Sequence, residues 1–218
     1  MMIIMRVKIC GLMRPRDVEA AVNHGADAVG FVVGTPISRR NLRLEKAEKL
    51  IKHVPVFTSS VAVTAASNQK TLKKIVKRLN PDALQVHRCD PRTIAGIRKA
   101  NPGLSIILAT PIHDSRSIVD VKAIVEFSDA IMAETPNQFG IGGTGRTHDW
   151  ELTRRLRSRI HPHPLILAGG LTPNNVKSAI EIVRPYGVDV STGVENKPGA
   201  KDHHKMKEFI EKAKEATI

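Results

Sequence analysis

The feature that most constrains this chain is a recurrence. Short apolar or β-branched runs return along its whole length: VKIC at 7–10, AVGFVV at 28–33, SVAVTA at 60–65, ALQVH at 83–87, SIILAT at 105–110, AIMAE at 130–134, LILAGG at 165–170 and GVDVSTG at 187–193. Most are apolar without alternation, as the strands of a parallel sheet covered on both faces are. Between them lie stretches with the single apolar stripe of a surface helix, clearest at Leu72, Ile75, Val76 and Leu79, at Val176, Ala179, Ile180 and Val183, and at Met206, Phe209, Ile210 and Ala213. Asp90 before Pro91 and Thr172 before Pro173 read as helix starts, a capping side chain followed by a residue with no N–H to leave unpaired. Eight strand-helix units in 218 residues, with no linker-like stretch, predict a closed (β/α)8 (TIM) barrel, a single α/β domain spanning residues 1–218. An open doubly wound sheet is the alternative, but CGLMRPRD after the first run holds one glycine and no G-x-G-x-x-G.

Composition narrows the partners. A formal charge of +13 suits an anionic ligand, either nucleic acid or a small phosphorylated molecule. Aromatic residues make up 3% of the chain and are not interleaved with basic ones, which argues against stacking on single-stranded nucleic acid. Two cysteines are too few for a disulfide scaffold, and the opening MMIIM has neither a charged leader nor a cleavage site, so a reducing, cytoplasmic setting is expected. Charged residues interrupt every apolar run before the roughly 20 residues a membrane span needs, so no membrane partner is expected. His161 and His163 flank a proline and His203 and His204 are adjacent, neither pair having the one-turn spacing of a helical metal site. No metal is therefore expected, and the chain is expected to act as a monomer or homodimer.

In a barrel the reactive groups project from the carboxyl ends of the strands, and phosphate is often held by the loops after the seventh and eighth. Those ends carry Gly169 and Gly170, and Ser191, Thr192 and Gly193. Small residues there let backbone N–H groups approach an anion, although turn glycines occur for other reasons. Cys10 closes the first strand and Glu134 the sixth. A thiol beside Arg14 or Arg16 and a helix N-terminus is expected to have a lowered pKa and to serve as a base, with a shielded carboxyl as the acid. Each also has an ordinary reading, Cys10 as a small buried hydrophobe and Glu134 as a solvated end residue. The segment TPNQFGIGGTGRTHDW after Glu134 is long for a βα connection and reads as a lid, with Gly142, Gly143 and Gly145 as further amide donors. Arg40 is a candidate for a bidentate grip on a carboxylate, with Arg39 competing for the role and solvation as the plain alternative.

Taken together, KICG at 8–11, GADAVGFV at 25–32, SRR at 38–40, LQVH at 84–87, GGTGRTHDW at 142–150, LAGGLTPNNV at 167–176 and RPYGVDVSTGVE at 184–195 make the chain resemble the phosphoribosylanthranilate isomerases of tryptophan biosynthesis over nearly its whole length. The resemblance implies a cofactor-free Amadori rearrangement of N-(5'-phosphoribosyl)anthranilate to 1-(2-carboxyphenylamino)-1-deoxyribulose 5-phosphate. Carried over by position, it makes Cys10 the general base, Glu134 the general acid, Arg40 the group that grips the anthranilate carboxylate, and Asp189 an orienting residue. Gly142, Gly143, Gly169, Gly170, Ser191, Thr192 and Gly193 would hold phosphate, and His87 is expected to pack behind the site, with direct contact to the substrate as the alternative. The family's acid is an aspartate, so Glu134 is a departure whose extra methylene displaces the carboxyl by about 1 Å or more, enough to cost roughly a hundredfold in rate if nothing compensates. STG also replaces the commoner SSG, no glycine follows His87, and VAVTAASNQK lacks an acidic start. Alternative readings are a catalytically impaired phosphate-binding barrel and a related aminoaldose phosphate isomerase, whose first strand ends in an aspartate where Cys10 stands.

Overall fold

The computed structural model describes residues 5–87, 89–114, 125–136 and 147–216. Eight strands, β1 (Arg6–Cys10), β2 (Ala28–Val32), β3 (Ser59–Thr64), β4 (Ala83–His87), β5 (Ser105–Pro111), β6 (Ala130–Glu134), β7 (Leu165–Leu167) and β8 (Gly187–Val190), pair in parallel and close into a barrel. Among the described residues the helices around it are α1 (Pro15–Asn23), α2 (Leu44–Ile51), α3 (Gln69–Leu79), α4 (Pro91–Ala100), α5 (Trp150–Ile160), α6 (Val176–Val183) and α7 (His203–Glu215). The eight expected runs are the eight strands, and the closed barrel prevails over the open sheet because β1 pairs with both β2 and β8.

The strands read as apolar runs because both of their faces are covered. On β4, Leu84 and Val86 join the large core between sheet and helices, whereas Ala83 belongs to a second cluster inside the barrel with Val61, Val63, Ile107 and Met132. That inner cluster is small, because other inward positions are polar: Lys8, Gln85, His87, Glu134 and Asp189 are all buried.

At the amino ends of the strands one device recurs. Asp27, Asp82 and Asp129 each stand just before an even-numbered strand. Their carboxylates accept the backbone N–H of Val7 at 2.8 Å, Ser60 at 2.7 Å and Ile106 at 2.7 Å, groups at the start of the preceding odd strand. Satisfying these donors removes the penalty of an orphan amide at the barrel rim. The fourth equivalent place, before β8, is Tyr186; its N–H still donates to Leu165 O at 2.8 Å, while its ring lies 5.4 Å from the Arg6 guanidinium. In the α2–β3 connection Val56 and Phe57 are almost fully exposed.

The helix starts correct one expectation. Asp90 caps α4 as predicted, accepting from Arg92 N and Thr93 N. Thr172 caps nothing: α6 begins at Val176, and Asn175 Oδ1 accepts the Thr172 N–H at 2.8 Å while its amide donates to Gly170 O at 3.0 Å. The polar residue nearest the helix folds the loop after β7 back on itself, so the proline marks a turn ahead of the helix.

Candidate active site

A cleft of about 310 Å³ opens at the carboxyl ends of the strands, and Cys10, Arg40, Glu134, Gly169, Gly170, Asp189, Ser191, Thr192 and Gly193 all line it. Gly142 and Gly143 lie outside the described residues, as does most of the expected lid.

Cys10 is a free, buried thiol at the end of β1, opposite Gly30 in the β1–β2 register. A β-carbon at Gly30 would stand 2.9 Å from Cys10 Sγ, so the glycine makes the space the thiol occupies. Burial pushes the thiol's pKa up; Lys8 and Lys201 pull it back, Asp189 adds to the rise, and the net direction is upward. This corrects the expectation of a thiol tuned down by Arg14 or Arg16. Arg14 is turned away in a two-bond pair with Asp17, at 2.7 and 2.9 Å, and Arg16 is exposed. The cations that bear on Cys10 come from β1 itself, from the connection after β2 and from the far end of the chain.

Glu134 ends β6 with its carboxyl buried, and its Oε1 lies 3.0 Å from His87 Nδ1 at the end of β4. His87 is therefore a direct partner of that carboxyl and itself lines the cleft, more than the packing residue expected. The next residue, Thr135, is held in turn: His148 bridges Thr135 Oγ1 at 3.0 Å and Thr153 Oγ1 on α5 at 2.6 Å. Burial lowers the pKa of His148 to about 4, so the imidazole is neutral at physiological pH and can donate through one nitrogen while accepting through the other. Gly169 closes over the same residue, since a β-carbon there would stand 2.3 Å from Thr135 Oγ1.

Across the mouth, Arg40 meets Glu195 through two bonds, Nε to Oε1 at 2.7 Å and Nη2 to Oε2 at 2.6 Å, and Nη2 also donates to Thr192 Oγ1 at 3.0 Å. Lys201 Nζ reaches the same carboxylate at 3.0 Å and Ser191 O at 2.8 Å. Burial opposes the charge on Glu195, but the bonds from Arg40 and Lys201 outweigh it and hold its carboxyl below the ordinary range. Lys201 goes the other way, its pKa lowered by burial against the pull of Glu195. Two cations sharing one anion leave the ground beneath Ser191–Gly193 net positive. Gly193 is required by packing as well, since a β-carbon there would meet Leu171 O. Arg39 is exposed, which separates it from Arg40. Asp189 sits inside the barrel with its Oδ1 2.6 Å from Lys8 Nζ.

The sequence reading passed over Lys8, Gln85, His148, Glu195 and Lys201. Lys8 was findable, because the period of two puts it on the same face of β1 as Cys10. Glu195 and Lys201 meet through the antiparallel pairing of β9 (Glu195–Lys197) with β10 (Ala200–Lys201), and Pro198–Gly199 between them is the turn signal that would have suggested it.

A closed parallel barrel whose ionisable side chains gather at the carboxyl ends of its strands places this chain in the class of (β/α)8-barrel enzymes. Within that class, residues 7–212 match the family described as N-(5'phosphoribosyl)anthranilate (PRA) isomerase. The N-(5'-phosphoribosyl)anthranilate isomerase of Methanothrix thermoacetophila is 45% identical over 210 residues, covering 96% of this chain and 98% of the relative. A phosphoribosyl anthranilate isomerase crystallised in complex with reduced 1-(o-carboxyphenylamino)-1-deoxyribulose 5-phosphate superposes with a TM-score of 0.81 at 36% identity, covering 96% of this chain and 98% of that one. Monomers generated from the dimeric enzyme of Thermotoga maritima give a TM-score of 0.81 at 34% identity over the same shares. The chain belongs to the N-(5'-phosphoribosyl)anthranilate isomerase family.

Proposed function

We propose that this chain catalyses the Amadori rearrangement of N-(5'-phosphoribosyl)anthranilate to 1-(2-carboxyphenylamino)-1-deoxyribulose 5-phosphate in tryptophan biosynthesis. The observation that carries the assignment of roles is that Cys10 and Glu134, 124 positions apart (134 − 10), line one cleft whose far wall is the pair of small-residue turns after β7 and β8. Glu134 gives its proton to the ribose ring oxygen as the ring opens to the Schiff base. Cys10, as thiolate, takes the proton from the carbon next to the Schiff-base carbon, and the resulting enolamine tautomerises to the ketone. The bond to His87 Nδ1 fixes the direction of the longer glutamate arm, which supports a working acid in place of an aspartate.

Substrate binding follows from the charges. Amides around Gly169–Gly170 and Ser191–Gly193, over the net-positive Arg40–Glu195–Lys201 cluster, suit the phosphate. The bonds to Glu195 and Thr192 use Nε and Nη2 of Arg40, leaving Nη1 for the anthranilate carboxylate. Among the described residues Gln85 Oε1, buried in the cleft wall, has no hydrogen-bond partner, an acceptor suited to a substrate N–H or O–H. A homodimer fits the exposure of Val56 and Phe57, which a second copy would cover, and a reducing, cytoplasmic compartment fits two free thiols.

The test is to generate phosphoribosylanthranilate in place and follow the loss of its fluorescence. Cys10→Ser and Glu134→Ala should each lose about a hundredfold or more in kcat, the scale of one acid or base group. Glu134→Asp should keep or gain turnover. Full activity in Cys10→Ser would remove the thiol from the mechanism.

A further inference from the structure

One buried cation of the barrel interior has no part in the chemistry above. Lys8 stands two residues before Cys10 on β1, so both side chains enter the barrel. They converge on one notch: a β-carbon at Gly30 would lie 2.9 Å from Cys10 Sγ and 3.2 Å from Lys8 Cε. Lys8 is 5% exposed, and its ammonium donates to Asp189 Oδ1 at 2.6 Å, from the residue paired with it in the β1–β8 register. Burial alone would lower the pKa of such a lysine. Asp189 and Cys10 together overcome that and hold its pKa above the ordinary value.

We propose that Lys8 is the positioning residue that makes the Cys10 thiolate attainable inside the barrel, and that Asp189 sets the size of this effect by competing with the sulfur for the same ammonium. The inference rests on Cys10 being the base. The charges that bear on the sulfur are Lys8 from β1, Asp189 from β8, Lys201 from β10 and Arg40 from the connection after β2, with His87 and Glu134 lining the same cleft from β4 and β6. Lys201 and Arg40 are both bonded to Glu195. Lys8 is instead bonded to Asp189, and it shares the Gly30 notch with the sulfur.

Competition for one ammonium makes the two substitutions act in opposite directions. In a Cys89→Ser background, so that Cys10 is the reporting thiol, alkylation by iodoacetamide is followed across pH by mass spectrometry. Lys8→Met should slow alkylation at neutral pH by about tenfold or more, the scale an opposite charge a few ångströms away exerts on a neighbour's ionisation. Asp189→Asn should speed it. The double variant Lys8→Met/Asp189→Asn, which removes the whole ion pair with little change in volume, should stay slower than the parent, and the acidic limb of its kcat profile should move to higher pH. Shifts of the same sign in the two single variants, or an unchanged pH dependence in both, would overturn the proposal. If Lys8→Met does not fold, Asp189→Asn and the double variant decide it by the same signs. Activity surviving in Cys10→Ser would instead defeat Cys10 as the base and leave the alkylation result standing.

Discussion

The two ends of this barrel hold cavities of similar size, about 310 Å³ at the carboxyl mouth and about 360 Å³ at the amino floor, and both are lined by ionisable residues. They differ in what those residues are bonded to. At the floor Asp27, Asp82 and Asp129 each accept a backbone amide of the neighbouring strand, and Asp27 and Asp129 carry in addition half-exposed ion pairs to Lys214 and Arg98. At the mouth Glu134 meets His87 and Glu195 meets Arg40 and Lys201, side chain to side chain, and Asp189 reaches down to Lys8, which lines the floor cavity. A carboxylate committed to a strand's N–H groups holds that strand in place; one paired with another titratable group can exchange protons or rotate toward a ligand. Volume therefore does not separate the two ends; the strand amides held by the floor carboxylates do.

That contrast can be broken most directly at the reactive pair. Cys10→Ser and Glu134→Ala should abolish most turnover while thermal denaturation midpoints stay close to the parent's, whereas a large loss of stability would make these residues structural. Next in size, Glu195→Gln removes the anion from between two buried cations. Breaking a buried pair in this way costs about 3 kcal/mol or more, which urea unfolding would register, and the freed Arg40 should raise KM more than it lowers kcat. At the floor, Asp82→Ala deprives the Ser60 N–H and hydroxyl of their partner. This should cost about 1–2 kcal/mol with kcat unchanged, and a fall in kcat at full occupancy of the folded state would erase the distinction drawn here.

The smallest effect belongs to His148, a mouth residue with a floor-like role. Its pKa falls from the ordinary 6.5 to about 4 on folding, so the unfolded chain binds more protons between those values. Its contribution is intact above pH 6.5 and is lost as the pH falls toward 4. His148→Phe should flatten that part of the stability-against-pH curve and loosen Thr135 beside Glu134; an unchanged slope would show that the bridge does not persist in solution.

Much of the architecture was legible because each strand had to be apolar on two faces, a demand visible in any window of five residues. The helix starts were less so: Asp90 and Thr172 look alike in sequence, and only the path of the loop after β7 gives Asn175 a different task. Among the site residues, Cys10, Glu134, Arg40, Asp189 and the two small-residue turns came from strand ends and resemblance, and the fold brings them to one cleft. Sequence nearness misled for Arg14, which lies four residues from Cys10 but on the helix side, whereas Lys201 lies 191 positions away (201 − 10) and acts on the sulfur.

The sequence alone determined the barrel, its strands and the residues at their ends, because periodicity and turn chemistry are local and each segment declares them independently. Which charge meets which was decided by closure. When β1 pairs with β8 and the β9–β10 hairpin folds under the mouth, Asp189 comes to Lys8 and Lys201 to Glu195. Electrostatic coupling depends on distances of a few ångströms between side chains far apart along the chain.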